Sequence, residues 1–161
     1  MIGTSADTPE FAVDCLDRWI AECGWTTYPR MKEILLLCDT GGSNGYRPRL
    51  WQYSLYQTIA RAHGITITVC HYPPGASKWN PIEHRLFSFI SLEWAGHPLR
   101  SLEAMMNYME STTTKTGLKV KALLNKREYA KGKAVPDHLF KTIPLSNHSE
   151  LPAWNYTIRP N

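Results

Sequence analysis

Apolar positions along this chain alternate between two spacings. Ala12, Cys15, Leu16, Trp19, Ile20 and Cys23 recur at helical spacing between Asp7-Thr8-Pro9-Glu10 and Gly24. Asp7 as N-cap, Glu10 three residues later and Pro9 in the first turn predict a helix start, and Gly24 predicts its stop. Ile34 to Cys38 is all apolar, the pattern of a strand covered on both faces. Asp39-Thr40-Gly41-Gly42-Ser43-Asn44-Gly45 holds nothing that favours regular structure and reads as a loop. A second helix fits about 48–63, with Trp51, Leu55, Ile59 and Ala62 on one side and Gly64 at its end. Ile65 to His71, rich in β-branched residues, is the next strand, and Pro73-Pro74-Gly75 breaks it.

Asn80-Pro81 then caps a third helix whose Ile82, Leu86, Phe89, Ile90 and Glu93 share a face. A fourth, at about 101–111, carries Leu102, Met105, Met106 and Met109 on its inner side as core packing. Val120, Leu123 and Leu124 fit a strand or a short helix, and Trp154 to Ile158 reads as extended. Helix and strand in alternation make an α/β pattern, with parallel pairing expected between the two strands.

Composition narrows the picture. With 161 residues, 43% hydrophobic and 20% charged, the chain suits one globular domain and excludes disorder. The longest apolar run is the five residues from Ile34 to Cys38, which excludes a membrane span. After Met1, Ile-Gly-Thr-Ser-Ala-Asp shows neither a basic start nor an apolar stretch, so no signal peptide is expected. The four cysteines form no C-x-x-C pair and sit in apolar segments, which predicts buried reduced thiols and a cytosolic setting.

The formal charge of +4 is uneven. Residues 1–100 balance, with 9 Lys+Arg against 9 Asp+Glu, whereas residues 101–161 carry 9 against 5. Lys115, Lys119, Lys121, Lys126, Arg127, Lys131 and Lys133 face a single acid, Glu128, within that stretch. Such a cluster attracts a polyanion such as DNA, or serves as a solvated face.

Ligands of open α/β sheets gather beyond the carboxyl ends of strands, where Asp39 falls. A charge ending a buried strand needs a partner, either a metal ion or the backbone of the following loop. Glu83 opens the third helix, where the helix dipole favours an acid whatever its function. Parallel strands would bring Asp39 and Glu83 to one edge of the sheet, and two carboxylates there suit Mg²⁺. Lys78-Trp79-Asn80 beside Glu83 offers a cation, an aromatic platform and an amide for DNA contact, and Arg47 and Arg49 lie near Asp39. His84 points about 100° away from Glu83 on a helix and takes at most a supporting role, while His71 at a strand end stays ambiguous.

A competing pattern is Gly41-Gly42-Ser43-Asn44-Gly45, which matches the G-x-S-x-G nucleophile elbow of serine hydrolases, with Asp137 and His138 or His148 following in order. Ser43 stands four residues (39–42) beyond the apolar run, too far for a sharp elbow, so this is a minor alternative. A Walker loop fails because no Gly-Lys-Ser/Thr follows the glycines.

The segments Leu35-Leu36-Leu37-Cys38-Asp39-Thr40-Gly41-Gly42-Ser43-Asn44-Gly45 and His71-Tyr72-Pro73-Pro74-Gly75-Ala76-Ser77-Lys78-Trp79-Asn80-Pro81-Ile82-Glu83-His84 resemble the catalytic region of DDE transposases of bacterial insertion sequences. The likeness is to the Rhodopirellula type, distantly related to mariner-like enzymes. It runs nearly end to end, through Thr114 to Val120 and Trp154 to Ile158. The resemblance implies an RNase H-like (retroviral integrase-like) mixed sheet flanked by helices. It implies three acids holding two Mg²⁺ or Mn²⁺ ions, with cleavage at element ends followed by strand transfer into target DNA.

Asp39 matches the second acid and Glu83 the third, as catalytic and metal-binding residues, and no residue matches the first. The chain is therefore expected to be a single partial catalytic domain over 1–161, with its N-terminal strands missing and a basic portion at 115–161. Arg47, Arg49, Lys78, Trp79, Asn80, Lys115, Lys119 and Lys121 are the expected DNA contacts. Expected partners are DNA and a second copy in a homo-oligomer, with no membrane and no small-molecule substrate, in the bacterial cytoplasm or on its nucleoid. The alternative is a non-catalytic DNA-binding or subunit-pairing remnant.

Overall fold

The computed structural model describes residues 1–161, the side chain of Ser77 excepted. Along the chain run β1 (Ile2–Gly3), α1 (Pro9–Trp19), α2 (Trp25–Thr27), β2 (Glu33–Cys38), α3 (Arg49–Ser54), α4 (Arg61–His63) and β3 (Thr66–His71). They are followed by α5 (Ser88–Glu93), α6 (Leu102–Ser111), β4 (Leu124–Asn125), α7 (Asp137–Phe140), β5 (Leu145–Asn147) and β6 (Asn155–Ile158). π-Helical turns at Ile20–Gly24, Leu55–Ala60 and Glu83–Phe87 lead into α2, α4 and α5 respectively. No helix among the described residues is long and apolar enough to cross a membrane.

The chain divides into two compact units, one of Ser5–Pro74 with Arg127–Asn161 and the other of Met1–Thr4 with Gly75–Lys126. In the larger unit, a mixed sheet has the order β2-β3-β6-β5. The two strands predicted to be parallel are so, from Glu33 opposite Thr66 to Cys38 opposite His71. The segment expected to be extended supplies β6, antiparallel to both β3 and β5.

Leu55, Ile59, Ile65, Ile67, Val69, Tyr156 and Ile158 form a core with Val13, Ile20 and Trp51. The π-helical turn Leu55–Ala60 packs on β3 and β6, so helices cover this face of the sheet. Burial of apolar surface of that kind is the main favourable term in holding such a layer together.

Several expectations are corrected. Thr8, not Asp7, caps α1, its hydroxyl accepting the Phe11 N–H at 3.2 Å. Pro9 occupies the first helical position because its missing N–H costs nothing there, and that fixes the cap one residue before it. Gly24 does not stop the helix: it keeps helical angles (φ −58°, ψ −55°) and the chain turns on through α2. β2 is covered on one face only. As the edge strand it leaves Leu35 61% and Leu37 47% exposed, whereas an all-apolar run suggests two covered faces. Ala62 faces solvent rather than the core. Of the cysteines, all free, Cys38 is buried and Cys15, Cys23 and Cys70 only partly so.

The smaller unit is built around α5 and α6, which pack on each other, with β1 and β4 as a short parallel pair. Asn80 caps the third helix as expected, its side-chain oxygen accepting the Ile82 N–H at 3.3 Å. Ile90 is the buried residue of that helix, while Ile82 and Glu93 are exposed. Ser101 caps α6 through the Ala104 N–H at 3.0 Å. Met105, Met106 and Met109 are half-buried and Leu102 is exposed, so this row seals an edge rather than filling a core.

Candidate functional site

Asp39 follows β2 directly, at the carboxyl end of a parallel pair. Its carboxylate is exposed and forms no hydrogen bond or ion pair among the described residues. The expected burial cost is therefore absent, because water solvates a carboxylate at an open strand end.

The loop after Asp39 is held from below. Cys38 is buried, and the loss of solvation pushes its thiol from the ordinary 9.0 up to about 12, opposed in part by a hydrogen bond with the Asn44 side chain. The buried ring of His71 places Nε2 at 3.1 Å from the Asn44 carbonyl and Nδ1 at 2.8 Å from the Trp154 carbonyl. Strand ends β2 and β3 thus both grip Asn44, and β3 also grips the turn before β6. Gly45 is required by close approach, since a Cβ there would lie 2.8 Å from the Thr40 carbonyl oxygen. Gly42 sits at φ +74°, which L side chains rarely adopt.

Two grooves flank this loop. One, of about 420 Å³, is lined by Gly41, Tyr46, Arg47, Pro74 and Trp154. The other, of about 670 Å³, is lined by Asp7, Ser43, Arg49, Lys131 and Lys133. Gly42 and Pro48 border both. Arg47 lies 5.2 Å from the Tyr46 ring centre and donates from Nε to the Tyr46 hydroxyl. Arg49 pairs with Asp137 and lies 4.9 Å from the Phe140 ring centre.

Glu83 belongs to the smaller unit, at the start of the π-helical turn Glu83–Phe87, and its half-buried carboxylate makes no hydrogen bond or ion pair among the described residues. Lys78 stands 5.3 Å from the ring centre of Trp79, which is 71% exposed and so an open platform rather than a core residue. His84 receives or shares no bond with Glu83; its Nε2 lies 2.6 Å from the Lys78 carbonyl and fixes the preceding turn. Lys115, Lys119 and Lys121 are exposed in the same unit.

The basic stretch is divided, since Arg127, Lys131 and Lys133 fall in the larger unit. Arg127 pairs with Asp14 at 2.6 Å and Lys133 with Glu10 at 2.9 Å, so distant acids offset charge that the local sequence leaves unbalanced. Lys131 has no ion pair among the described residues.

The hydrolase pattern does not assemble. Asp137 is taken by Arg49 and His148 by the Thr157 hydroxyl at 2.9 Å, and Ser43 bonds neither. Among the described residues no three His, Cys, Asp or Glu form a group able to hold a metal ion.

From residue 1 to residue 160 the sequence matches the Rhodopirellula transposase DDE domain. The chain belongs to this family of DDE transposases. No curated protein and no solved structure matches it. The family supports a transposase role, and DDE domains generally use divalent metal ions. Asp39 and Glu83 offer the hard oxygen donors that such ions take.

Sequence reasoning missed Asn44, Tyr46 and Trp154 as parts of the site. Tyr46 and Trp154 have ring centres 5.7 Å apart across more than a hundred intervening residues, and nothing local in the sequence signals that pairing.

Proposed function

We propose that this chain is the RNase H-like catalytic part of a transposase that cuts DNA at element ends and joins the freed 3′-hydroxyl to target DNA, as one partial domain over 1–161. The observation that carries the reading is Asp39: an exposed carboxylate without an ion pair, at the carboxyl end of a parallel pair and before a braced glycine loop, in a chain of the DDE family. Asp39 and Glu83 would each give carboxylate oxygens to Mg²⁺ or Mn²⁺. Two such ions, when bound, activate the attacking water or hydroxyl and steady the leaving oxygen.

The chain's own residues do the positioning. Arg47 and Arg49 hold DNA phosphates beside Asp39. Lys78, Trp79 and Asn80 do so beside Glu83, with Trp79 as a stacking surface and Lys115, Lys119 and Lys121 adding long-range attraction. No residue of these 161 matches the family's first acid, so the chain alone binds DNA without cutting it.

The test is Mg²⁺-dependent cleavage and strand transfer by the chain joined in frame to a segment that carries that acid. Activity lost in Asp39→Asn and in Glu83→Gln is the expected result. Activity that survives either substitution overturns the assignment. A second reading, a DNA-binding or subunit-pairing remnant, is favoured by the bare Leu35 and Leu37 on the sheet edge. Salt-sensitive DNA binding that Asp39→Asn leaves unchanged, with no cutting by the joined form, supports it.

A further inference from the structure

The two grooves beside the Asp39 loop differ in chemistry, and together they describe one ligand. The larger is bordered by three cations and one acid, Asp7: Arg49 and Lys133 are engaged with acids, while Lys131 has no ion pair among the described residues. The smaller joins one cation, Arg47, to two half-buried aromatic rings, Tyr46 and Trp154, tilted at 51° to each other. Gly42 and Pro48 border both, and Gly41 and Gly42 present bare backbone there. A Cβ added at Gly41 would meet nothing within 4 Å, and one at Gly42 would meet only the Asn44 side chain at 3.9 Å.

A charged backbone with flat apolar substituents is the ligand such a surface fits. Phosphates follow cations, the bare glycines let a backbone approach closely, and aromatic rings accept a base face. The volume of about 420 Å³ lies in the range of small-ligand pockets, enough for one base and its sugar. Within a duplex the bases are stacked on each other, so its phosphates meet the cations but its interior bases leave the rings unused. We propose that the Tyr46–Trp154 groove is a docking site for an unpaired base of single-stranded DNA, with the adjoining phosphates led over Gly41–Gly42 toward Lys131. The proposal rests on the DNA-processing reading above and adds to it a preference for an unpaired strand end at this groove.

The ring pair is held in place independently of any ligand. Tyr46 packs edge-on to His71 with ring centres 6.3 Å apart, and His71 also binds the Trp154 carbonyl, so the platform is built before a base arrives. A preformed platform loses little entropy on binding.

The experiment measures binding of the full chain to a short labelled oligothymidylate and to a duplex of equal length, by fluorescence anisotropy over a salt series. Trp154→Leu is expected to weaken single-strand binding about tenfold and to leave duplex binding within twofold, since stacking serves only an unpaired base. Trp154→Phe should restore most of the loss. Lys131→Ala should weaken both ligands and lower the salt slope by about one, the signature of one phosphate contact. Circular dichroism confirms that each variant is folded, and Tyr46→Leu serves as the second probe if Trp154→Leu is not. Equal loss for single strand and duplex, or no loss in either aromatic variant, overturns the base site while leaving the transposase reading intact. A wild-type chain that binds neither ligand at low salt overturns both.

Discussion

His71 and Asn44 are joined by a 3.1 Å contact from Nε2 to the backbone carbonyl, with the His71 ring almost wholly buried. The other ring nitrogen faces the Trp154 carbonyl, so one side chain ties the loop after β2 to the turn before β6. Side chains that bridge two loops in this way convert the rigidity of a strand into the rigidity of a site.

His71→Ala is expected to cost about 2 kcal/mol, from the lost ring contacts with the two carbonyls and the lost packing. The loss should appear in urea unfolding. Hydrogen exchange at residues 40–46 should also speed up more than exchange in β3. Exchange that stays unchanged in the loop would show that His71 does not brace it.

Gly45→Ala tests the turn itself. The added carbon would lie 2.8 Å from the Thr40 carbonyl oxygen and 3.3 Å from the Gly41 backbone, both of which are main chain and slow to yield. A loss of about 1–3 kcal/mol is expected, with circular dichroism close to wild type. Wild-type stability in the alanine variant would mean that the loop is looser than these distances imply.

Alkaline pH should destabilise the larger unit through Cys38. Burial holds its thiol protonated to about 12 in the folded chain, against the ordinary 9.0 once unfolded. Between these values the unfolded chain gives up a proton that the folded chain keeps, so stability is full below pH 9 and falls as pH rises toward 12. The slope contributed is at most about 1.4 kcal/mol per pH unit. The buried Tyr156 phenol, raised by the same loss of solvation, pulls in the same direction. Urea titrations from pH 8 to 11 should show the decline, and Cys38→Ala should flatten part of it.

The bare face of β2 makes a separate claim. Leu35 and Leu37 are exposed on an edge strand whose one charge, Glu33, stands at its start and which holds no proline, so little along its length discourages pairing. Leu35→Lys with Leu37→Lys should reduce concentration-dependent light scattering while changing stability by less than about 1 kcal/mol. A large loss of stability would mean that these leucines pack against something in the folded chain.

Local pattern settled much of this protein. Repeating apolar residues located α1, the helix over Arg49–His63, both parallel strands and β6, because each of these buries a face whose period the chain must match. The Asn80 cap and the family likeness carried by residues 35–45 and 71–84 are local in the same sense. β1, α7 and β5 gave no comparable signal, being only two to four residues long.

What the sequence by itself determined is where the longer secondary elements lie, which acids stand at their ends, and the DDE family. What only the tertiary structure decided is the company those residues keep. Strand order made β2 an edge and left its leucines bare. Folding brought Asp14 to Arg127 and Glu10 to Lys133, and Trp154 beside Tyr46. Hydrophobic periodicity records which side of an element turns inward. It holds no information on which distant segment that side will meet, because that choice is made by packing the whole core at once.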